Sequence, residues 1–580
     1  MSNLITEEGQ RVDLSSPLSE HPNPLFRRDH YACLNGKWGF EVNQDLDPHS
    51  AQYTESIIVP FAVETQLSSI QRSVHKNDVL HYQKVFDLPK KINASLAVLH
   101  FEAVDQVCDV YLNGEHLGHH EGGYIPFEFR CPKLHKKSNI LEVVVTDDTA
   151  SPYFPRGKQM NKSGGIWYTP TSGIWGSVWL EEVPEDHIEE IRFIPDIKAR
   201  ICKVIAKLNN DKKRCKVEVY DQGEPIDRIA LDEDGEGIIT LKKMKLWTVK
   251  SPHLYDVIFK YGEDEVHSYF AMREVSTTEH NGHLYPALNG RPIFLSGPLD
   301  QGYYPESGLT PPSDQAMIND IELVKKYGFN MVRKHIKVEP RRWYYHCDRL
   351  GLLVMQDFVN IGAPYQLFLI GTAPFIPYRF DDRLKMHQRS FGIKDDQVKE
   401  SFLKNNEAMM RLLINHPSIV AWTIFNEGWG QFEAKAVYER VKKIDSSRLF
   451  DVTSGWYDQG VGNFDSHHIY FRRVFLNPCK SRILSLSEFG GYSLKIEGHT
   501  WTSKAFGYKK MKDKDDLNAS LKRLYEEEII PLKKVGLAVA VYTQLSDVED
   551  EINGLVTYDR KIEKADPEVF QAIHKELLKL

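Results

Sequence analysis

The sequence predicts a multidomain protein: an N-terminal β jelly-roll sandwich, an immunoglobulin-like β-sandwich, and a C-terminal (β/α)8 barrel of the TIM type. Two patterns support this prediction. Up to about residue 275, short runs of alternating apolar and polar residues are separated by turn residues, which is typical of antiparallel sheets. From about residue 276, short apolar runs alternate with helical patterns, which is typical of parallel β/α units.

Two sandwiches are predicted, over residues 1–183 and 184–275. In the first, short strands lie close together and Asn113-Gly114 is a typical hairpin turn, which predicts a jelly roll. The second has about ninety residues of short strands, which suits one immunoglobulin-like sandwich. The strand candidates are residues 36–42, 96–102, 108–114, 139–146 and 176–182 in the first sandwich, and 203–208, 216–220 and 255–260 in the second.

The barrel is predicted over residues 276–580, because eight strand candidates in about 300 residues match the strand number and length of this fold. Helical patterns lie between the strands, at residues 314–327, 433–444 and 519–528, and a last one closes the chain at 567–580. The strand candidates are residues 292–296, 329–333, 352–357, 419–425, 449–453, 464–470, 483–487 and 537–542.

Composition narrows the class of partner. The 580 residues are 41% hydrophobic and 27% charged, which is ordinary for a globular protein, and the net charge of -8 argues against nucleic acid or an anionic membrane as partner. The start of the chain lacks a signal-peptide pattern, and no run approaches the roughly 20 apolar residues of a membrane span, so we expect a cytoplasmic protein. Seven scattered cysteines without Cys-x-x-Cys spacing predict reduced thiols, with no disulfide framework and no metal site.

Two glutamates carry the functional prediction. Glu427 lies in residues 421–429 (AWTIFNEGW) and Glu488 in residues 483–490 (ILSLSEFG). Each follows a short apolar run and precedes a Gly or a Phe-Gly pair, so each carboxylate should lie where a buried parallel strand ends. The carboxyl ends of barrel strands form the active-site mouth, and two carboxylates brought together there can break a glycosidic bond.

The chemistry of a retaining glycosidase requires different roles for the two carboxyl groups. One protonates the leaving oxygen and needs a raised pKa, whereas the other attacks the anomeric carbon and needs a lowered pKa. Asn426 can hydrogen-bond a sugar hydroxyl, and Trp422 and Trp429 can exclude water around Glu427. These neighbours predict Glu427 as the acid/base and Glu488 as the nucleophile. The alternative is that either glutamate caps a helix or pairs with an arginine.

Other polar and aromatic residues follow the predicted strands and are expected to line the mouth. Arg333 and His335 are two positions apart and share one face of a strand, and of the consecutive His467 and His468 only one can point inward. The predicted substrate-binding residues are Asn426, Asp357, His335, Arg333, Trp456, His468, Tyr470, Tyr542 and Asp300, with Gln544 as a further residue after the last strand.

Several short strings together resemble glycoside hydrolase family 2, the family of β-galactosidases, β-glucuronidases and β-mannosidases. The resemblance covers nearly the whole chain and implies the three-domain fold, Glu488 as nucleophile and Tyr470 as the tyrosine that contacts it. The family histidine lies one position after His335, so the match there is incomplete. The strings are residues 122–127 (GGYIPF), 172–178 (SGIWGSV), 288–294 (LNGRPIF), 330–333 (NMVR), 347–352 (CDRLGL), 416–419 (HPSI) and 426–428 (NEG).

Departures from the family pattern bear on the sugar. Family glucuronidases carry an Asn-x-Lys clamp where this chain has residues 551–554 (EING), so the resemblance disfavours a uronate unless Arg333 or Lys337 supplies the cation. Residues 296–302 lack the histidine common in β-galactosidases, which leaves Asp300 and Gln301 to bind hydroxyls. The long loop at residues 360–379 is predicted to be either a lid or a contact between subunits.

The predicted function is an exo-acting retaining β-glycosidase that releases a terminal neutral sugar through a covalent intermediate, in the manner of a β-galactosidase. Alternatives within the family are a β-mannosidase, an arabinosidase or galactofuranosidase, and a β-glucuronidase. A non-catalytic carbohydrate-binding protein is the alternative from another class, disfavoured by the presence of both carboxylates and Asn426. We expect no cofactor and no metal, a glycoside or oligosaccharide as substrate, and a homo-oligomer.

Overall fold

The protein is described here from a computed structural model that covers residues 4–132, 134–211, 213–366, 369 and 380–580. Most of the predicted lid or contact at residues 360–379 lies outside the described residues. Helix α1 (Glu7–Arg11) precedes the sheets, and Thr6 caps it by accepting a hydrogen bond from the amide of Gly9. Among the described residues, no helix is both long enough and apolar enough to cross a membrane.

The N-terminal sandwich is confirmed. A six-stranded antiparallel sheet, in the order β3-β2-β4-β10-β7-β8, packs its apolar face on a four-stranded sheet, β1-β12-β5-β9, and β6 pairs with β11. Asn113 and Gly114 both have positive φ, 52° and 79°, and connect β7 to β8 as predicted. The strands are β1 (Tyr31–Cys33), β2 (Gly36–Asn43), β3 (Glu55–Val59), β4 (Val79–Phe86), β5 (Ala97–Phe101), β6 (Val104–Asp105), β7 (Val107–Leu112), β8 (Glu115–Glu121), β9 (Phe127–Arg130), β10 (Asn139–Thr146), β11 (Gly173–Ile174) and β12 (Val178–Glu182).

The second sandwich has two antiparallel sheets, β13-β14-β17 and β16-β15-β18-β19, around its own apolar core. A three-stranded sheet of β20, β21 and β22 connects it to the barrel. The domain boundaries at 183/184 and 275/276 stay predictions. The strands are β13 (Ile188–Asp196), β14 (Ile201–Leu208), β15 (Lys216–Asp221), β16 (Glu224–Ala230), β17 (Glu236–Thr240), β18 (Tyr255–Tyr261), β19 (Asp264–Phe270), β20 (Val275–His280), β21 (His283–Leu288) and β22 (Arg291–Pro292).

The barrel is a nearly closed parallel sheet of eight strands, in the order β27-β26-β25-β24-β23-β32-β29-β28. All eight predicted strands are present. The first begins later than predicted because β22 pairs with β21 in a hairpin. The barrel strands are β23 (Leu295–Asp300), β24 (Met331–Lys334), β25 (Leu353–Asp357), β26 (Ile419–Asn426), β27 (Leu449–Ser454), β28 (Phe464–Ile469), β29 (Ile483–Gly490) and β32 (Leu537–Thr543), and the short β30 (Tyr492–Ser493) and β31 (Lys509–Lys510) follow β29.

Helices cover the outside of the barrel. The helix predicted to begin at residue 519 begins at Lys514 instead, because Asp513 caps it by accepting a hydrogen bond from the amide of Asp516. The helices are α2 (Asp314–Lys326), α3 (Arg341–Leu350), α4 (Lys385–Ser390), α5 (Asp396–Leu413), α6 (Ala434–Val441), α7 (Lys514–Arg523) and α8 (Pro567–Leu577). Every residue of β26 and β29 is buried, because helices and the barrel interior cover both faces.

A buried carboxyl group in the N-terminal sandwich makes stability depend on pH. Glu64 accepts a hydrogen bond of 3.0 Å from the amide of Ser172, while its Oε1 atom has no hydrogen-bond partner among the described residues. Burial raises the pKa of Glu64 to about 8, although the bonds from Ser172 oppose the shift. The folded protein therefore holds this carboxyl group neutral.

We expect the free energy of unfolding to decrease as pH rises from 4.5, the ordinary pKa of glutamate, to about 8, the pKa of Glu64 in the folded protein. In this interval the folded state keeps the proton that the unfolded chain releases, so stability falls by up to ~1.4 kcal/mol per pH unit. The stability that Glu64 contributes is fully present below pH 4.5 and is lost as pH rises through about 8. Glu64→Gln should flatten this decline in thermal unfolding curves, whereas the exposed Glu20→Gln should not. An unchanged decline in Glu64→Gln would contradict the prediction.

Candidate active site

Glu427 and Glu488 meet at the carboxyl ends of two barrel strands. Glu427 directly follows β26, and Glu488 lies near the end of β29. One carboxylate oxygen of each glutamate and one ring nitrogen of His468 all lie within 4.8 Å of one another. Retaining glycosidases hold their carboxyl groups about 5 to 5.5 Å apart, whereas inverting ones need about 6.5 to 9.5 Å for a water molecule. The short separation corresponds to the retaining geometry.

The backbone around Glu427 turns its side chain into the mouth. Glu427 adopts a left-handed φ of 52°, which is unusual for a residue other than glycine, and its amide donates to the carbonyl of Ser454 at 3.0 Å. Gly428 also has a positive φ, and a Cβ atom there would collide with the ring of Tyr457. Burial raises the pKa of Glu427 to about 7, while the charges of Lys158 and Arg333 lower it. The side chain is therefore suited to hold a proton near neutral pH.

Glu488 is held by groups that donate to its ionised form. Tyr470 Oη donates to Oε2 at 2.6 Å, and Arg333 Nη1 donates to Oε1 at 3.2 Å. Burial nevertheless raises the pKa of Glu488, and the nearby Glu427 adds to this shift, whereas His468, Arg333 and Tyr470 lower it. The predicted lowered pKa is therefore wrong in direction. The reason is that complete burial penalises the charged form of the carboxyl group, and the nearby Glu427 disfavours it further.

Arg333 organises the floor of the site. This fully buried guanidinium donates to both oxygens of Asp357 at 3.0 Å and, through Nη2, to Asn426 Oδ1 at 2.9 Å. His335 Nδ1 lies 2.8 Å from Asp357 Oδ2, so Arg333 and His335 share one face as the sequence predicts. Although burial opposes it, these partners hold the pKa of Asp357 below its usual range. The amide of Asn426 is left with Nδ2 free of partners among the described residues.

His468, and not His467, points into the barrel. His468 Nδ1 lies 2.8 Å from Glu427 Oε1, and Ser454 Oγ lies 3.2 Å from Nε2. Burial lowers the pKa of His468 to about 3, so the ring is neutral and Nδ1–H can donate to an ionised Glu427. The His467 side chain is 38% exposed beside Asp465. Trp456 joins the site, with its ring centroid 6.0 Å from that of His468.

Tyr542 and Asp300 do not join this group. The Tyr542 ring packs against Phe570 of α8 on the outside of the barrel. The inward position is the next one, Thr543, whose Oγ1 lies 2.9 Å from Tyr470 Oη. Asp300 accepts hydrogen bonds from Lys334 Nζ and from the amide of Gly302, away from both carboxylates.

Trp422 and Gln544 also lie apart from the two carboxylates. Trp422 points outward, where its Nε1 donates to Asp445 at 2.9 Å, so of the two predicted tryptophans Trp429 remains to exclude water around Glu427. Gln544 is bound to Gln301 and Asn553. Successive strand residues face opposite sides, so a position near a strand end does not by itself define the inward face.

The N-terminal sandwich contributes residues to the site that are not predicted from the sequence. Lys158 lies with its Nζ 5.9 Å from the centroid of Trp429, and the Trp167 ring is 5.1 Å from the same ring. Tyr168 donates to Glu551 across the domains. The sequence marks this loop only by a glycine between Arg156 and Lys158. In the structure Gly157 has a φ of 65°, a conformation that favours glycine. Nothing in the linear pattern connects this loop to the barrel.

Tyr508 is a further residue that the sequence analysis misses. Its ring stacks on Tyr470 with centroids 3.8 Å apart. Tyr508 lies just before β31, outside the barrel strands used to predict the site. Stacking fixes the phenol that donates to Glu488.

Two family models match the chain. The model described as "Glycosyl hydrolase 2 galactose-binding domain-like" matches residues 49–166. The model described as "Glycosyl hydrolases family 2, TIM barrel domain" matches residues 284–475, which include Glu427. A curated β-galactosidase of Lactococcus lactis is 27% identical over 508 residues, which cover 81% of this chain and 46% of that protein. The chain thus spans about half the length of this relative.

Solved structures share the fold along nearly the whole chain. A Ruminococcus gnavus β-glucuronidase has a TM-score of 0.73 and 17% identity, with coverage of 96% of this chain and 99% of that one. A β-galacturonidase from Eisenbergiella tayi, bound to glycerol, has a TM-score of 0.67 and 18% identity, with coverage of 95% and 96%. At these identities the likeness concerns the fold alone.

Proposed function

We propose that this chain, which belongs to glycoside hydrolase family 2, is an exo-acting retaining β-glycosidase that releases a terminal neutral sugar, with β-galactosides as the first substrate class. The observation that carries the proposal is the short separation of the Glu427 and Glu488 carboxyl groups at two strand ends. A non-catalytic binding protein would need neither this separation nor the arginine and tyrosine that hold Glu488.

In the first step Glu488 attacks the anomeric carbon. A bond forms between one of its oxygens and that carbon, the glycosidic C–O bond breaks, and Glu427 gives its proton to the leaving oxygen. Arg333 and Tyr470 hold opposite oxygens of Glu488, which fixes the carboxylate before attack. Asn426 Nδ2, which has no hydrogen-bond partner among the described residues, can donate to a sugar hydroxyl.

In the second step Glu427 acts as base. It takes a proton from a water molecule, whose oxygen attacks the anomeric carbon and releases Glu488 as a carboxylate. Ester formation removes the charge of Glu488, and with it the repulsion between the two carboxylates, so the pKa of Glu427 falls when a base is needed. His468 Nδ1–H supports the ionised Glu427 through the 2.8 Å contact.

The surroundings of Glu551 support a neutral terminal sugar. Glu551 stands where family glucuronidases carry their Asn-x-Lys clamp, and its buried carboxylate accepts hydrogen bonds from Tyr168 and Asn553. A uronate carboxylate placed there would meet a like charge. Lys337 offers no cation to the site, because its Nζ is bound to Glu339 and to the carbonyls of Gly302 and Leu309.

Arg333 also offers no free cation, because its donors are directed at Asp357, Asn426 and Glu488.

β-Mannosides, arabinosides, galactofuranosides and β-glucuronides are the alternative substrates. A homo-oligomer is part of the proposal, and light scattering on the purified protein tests it.

A panel of nitrophenyl glycosides tests the proposed activity. We expect a higher kcat/KM on the β-galactoside than on the β-glucuronide, and proton NMR should detect the β anomer of the released sugar before mutarotation. A higher kcat/KM on the glucuronide would contradict the neutral-sugar part of the proposal. An α anomer as first product would contradict the retaining mechanism and the assignment of both carboxylates.

A further inference from the structure

Two buried cations in the mouth of the barrel form no ion pair with a carboxylate among the described residues, and Lys158 lies near enough to Glu427 only to lower its pKa. Arg156 is 3% exposed and Lys158 is 6% exposed, and both lie in the loop between β10 and β11 of the N-terminal sandwich. No ion pair to either residue occurs in the part of the chain that the structure describes. The remaining residues, 1–3, 133, 212, 367–368 and 370–379, contain no Asp or Glu, so they add no carboxylate partner.

These cations are fixed in place. The amide of Arg156 donates to the carbonyl of Asn360 at 3.2 Å, and the amide of Tyr168 donates to the carbonyl of Lys158 at 2.9 Å. A Cβ atom on Gly157, between them, would lie 2.9 Å from the carbonyl oxygen of Ile336, so only glycine fits this close approach to the barrel. The loop is therefore docked on the barrel.

An unpaired buried charge is unfavourable, so buried charges in proteins are normally paired. Further donors lie beside these two cations. Nε and Nη2 of Arg156 and Nε1 of Trp429 are buried without a hydrogen-bond partner among the described residues. A site rich in donors and positive charge suits a ligand that accepts hydrogen bonds and carries negative charge.

The geometry places this group on the acid/base side of the site. Lys158 lies over Trp429, which follows Glu427 by two residues, and Arg156 lies 5.7 Å from the ring of Tyr365. Tyr365 and Trp429 are stacked, with centroids 5.5 Å apart. Glu488 instead contacts Tyr470. Because the acid/base of a retaining glycosidase acts on the leaving oxygen, these aromatic and cationic groups face the leaving group.

We propose that Arg156 and Lys158 bind an anionic group on the sugar at the leaving-group side, and that the substrate is a neutral terminal sugar linked to an acidic sugar. The acidic group is a carboxylate of a uronate or a sulfate ester, since both are planar or compact oxyanions that guanidinium and ammonium groups bind. This inference rests on the proposed retaining function, because that function defines which side holds the leaving group.

Two matched disaccharides test the inference. Both carry the neutral terminal sugar that the nitrophenyl panel identifies; one joins it to a uronate and the other to the carboxyl-reduced counterpart. We expect the wild-type protein to favour the uronate disaccharide in kcat/KM by about tenfold or more. Lys158→Met and Arg156→Met should each reduce this ratio towards one, whereas Lys158→Arg should retain most of it. Lys162→Met removes an exposed lysine from the same loop and should leave the ratio unchanged.

A third disaccharide, with a sulfate ester in place of the carboxylate, distinguishes the two anions: the preferred one identifies the natural group. Lys158→Gln provides a second variant if Lys158→Met fails to fold. A wild-type ratio near one, or a ratio unchanged in both methionine variants, would overturn the inference. So would a loss in Lys158→Met confined to a terminal β-glucuronide, because the anion would then lie on the terminal sugar. Failure of the proposed function is a separate result, in which no β-glycoside is hydrolysed at all.

Discussion

Replacement of Glu488 by glutamine is expected to lower kcat by about 10⁴-fold or more on every β-glycoside, including those with activated leaving groups. An amide cannot attack the anomeric carbon to form the glycosyl ester, and a better leaving group does not supply a nucleophile. The substitution keeps the size of the side chain and an oxygen that can accept from Tyr470, so the fold should be preserved. Steady-state kinetics on dinitrophenyl and nitrophenyl glycosides measure the effect.

The matched control is Glu64→Gln, which makes the same substitution at a buried glutamate of the N-terminal sandwich and should leave kcat unchanged. A 2-deoxy-2-fluoro glycoside slows both steps and, with a good leaving group, traps the covalent intermediate. Mass spectrometry should then find the sugar on the peptide that contains Glu488. A label on another carboxylate, or turnover of Glu488→Gln within tenfold of wild type, would remove Glu488 from the nucleophile role.

The positions of both carboxylates follow from the sequence because each ends a short, largely apolar run. Such a run predicts a strand buried on both faces, and parallel strands bring their carboxyl ends to one edge. Which side chain faces inward is less predictable. The pairing of β28 with β29 shifts register between His467 and His468, so strict alternation does not identify the inward histidine. The same limit explains why Tyr542 was predicted in place of Thr543.

Residues from another domain lie beyond what local patterns predict. Lys158 reaches Trp429 because two domains dock, and the sequence offers only a glycine, Gly157, beside it. The pKa of Glu488 illustrates a related limit. The role of nucleophile by itself predicts a lowered pKa, whereas burial of Glu488, with Glu427 beside it, raises the pKa.

Replacement of Glu427 by alanine is expected to act differently from replacement of Glu488. On substrates with poor leaving groups, kcat/KM should fall by about 10²- to 10⁴-fold, because the leaving oxygen departs without a proton. On dinitrophenyl glycosides the first step needs little protonation and should be nearly spared, so the covalent intermediate accumulates. Azide, a small anion that needs no general base, should then accelerate turnover and yield the β-glycosyl azide.

The pH dependence separates the two roles further. Glu427 must carry its proton in the free enzyme, so kcat/KM of the wild type should fall as pH rises through about 7. This basic limb should be absent from Glu427→Gln on an activated substrate, because the variant has no proton to lose at this position. An equal loss on activated and unactivated substrates, without rescue by azide, would mean that Glu427 positions the substrate. The proton would then have to come from another group, and His468 could not supply it, because its lowered pKa of about 3 leaves the ring neutral.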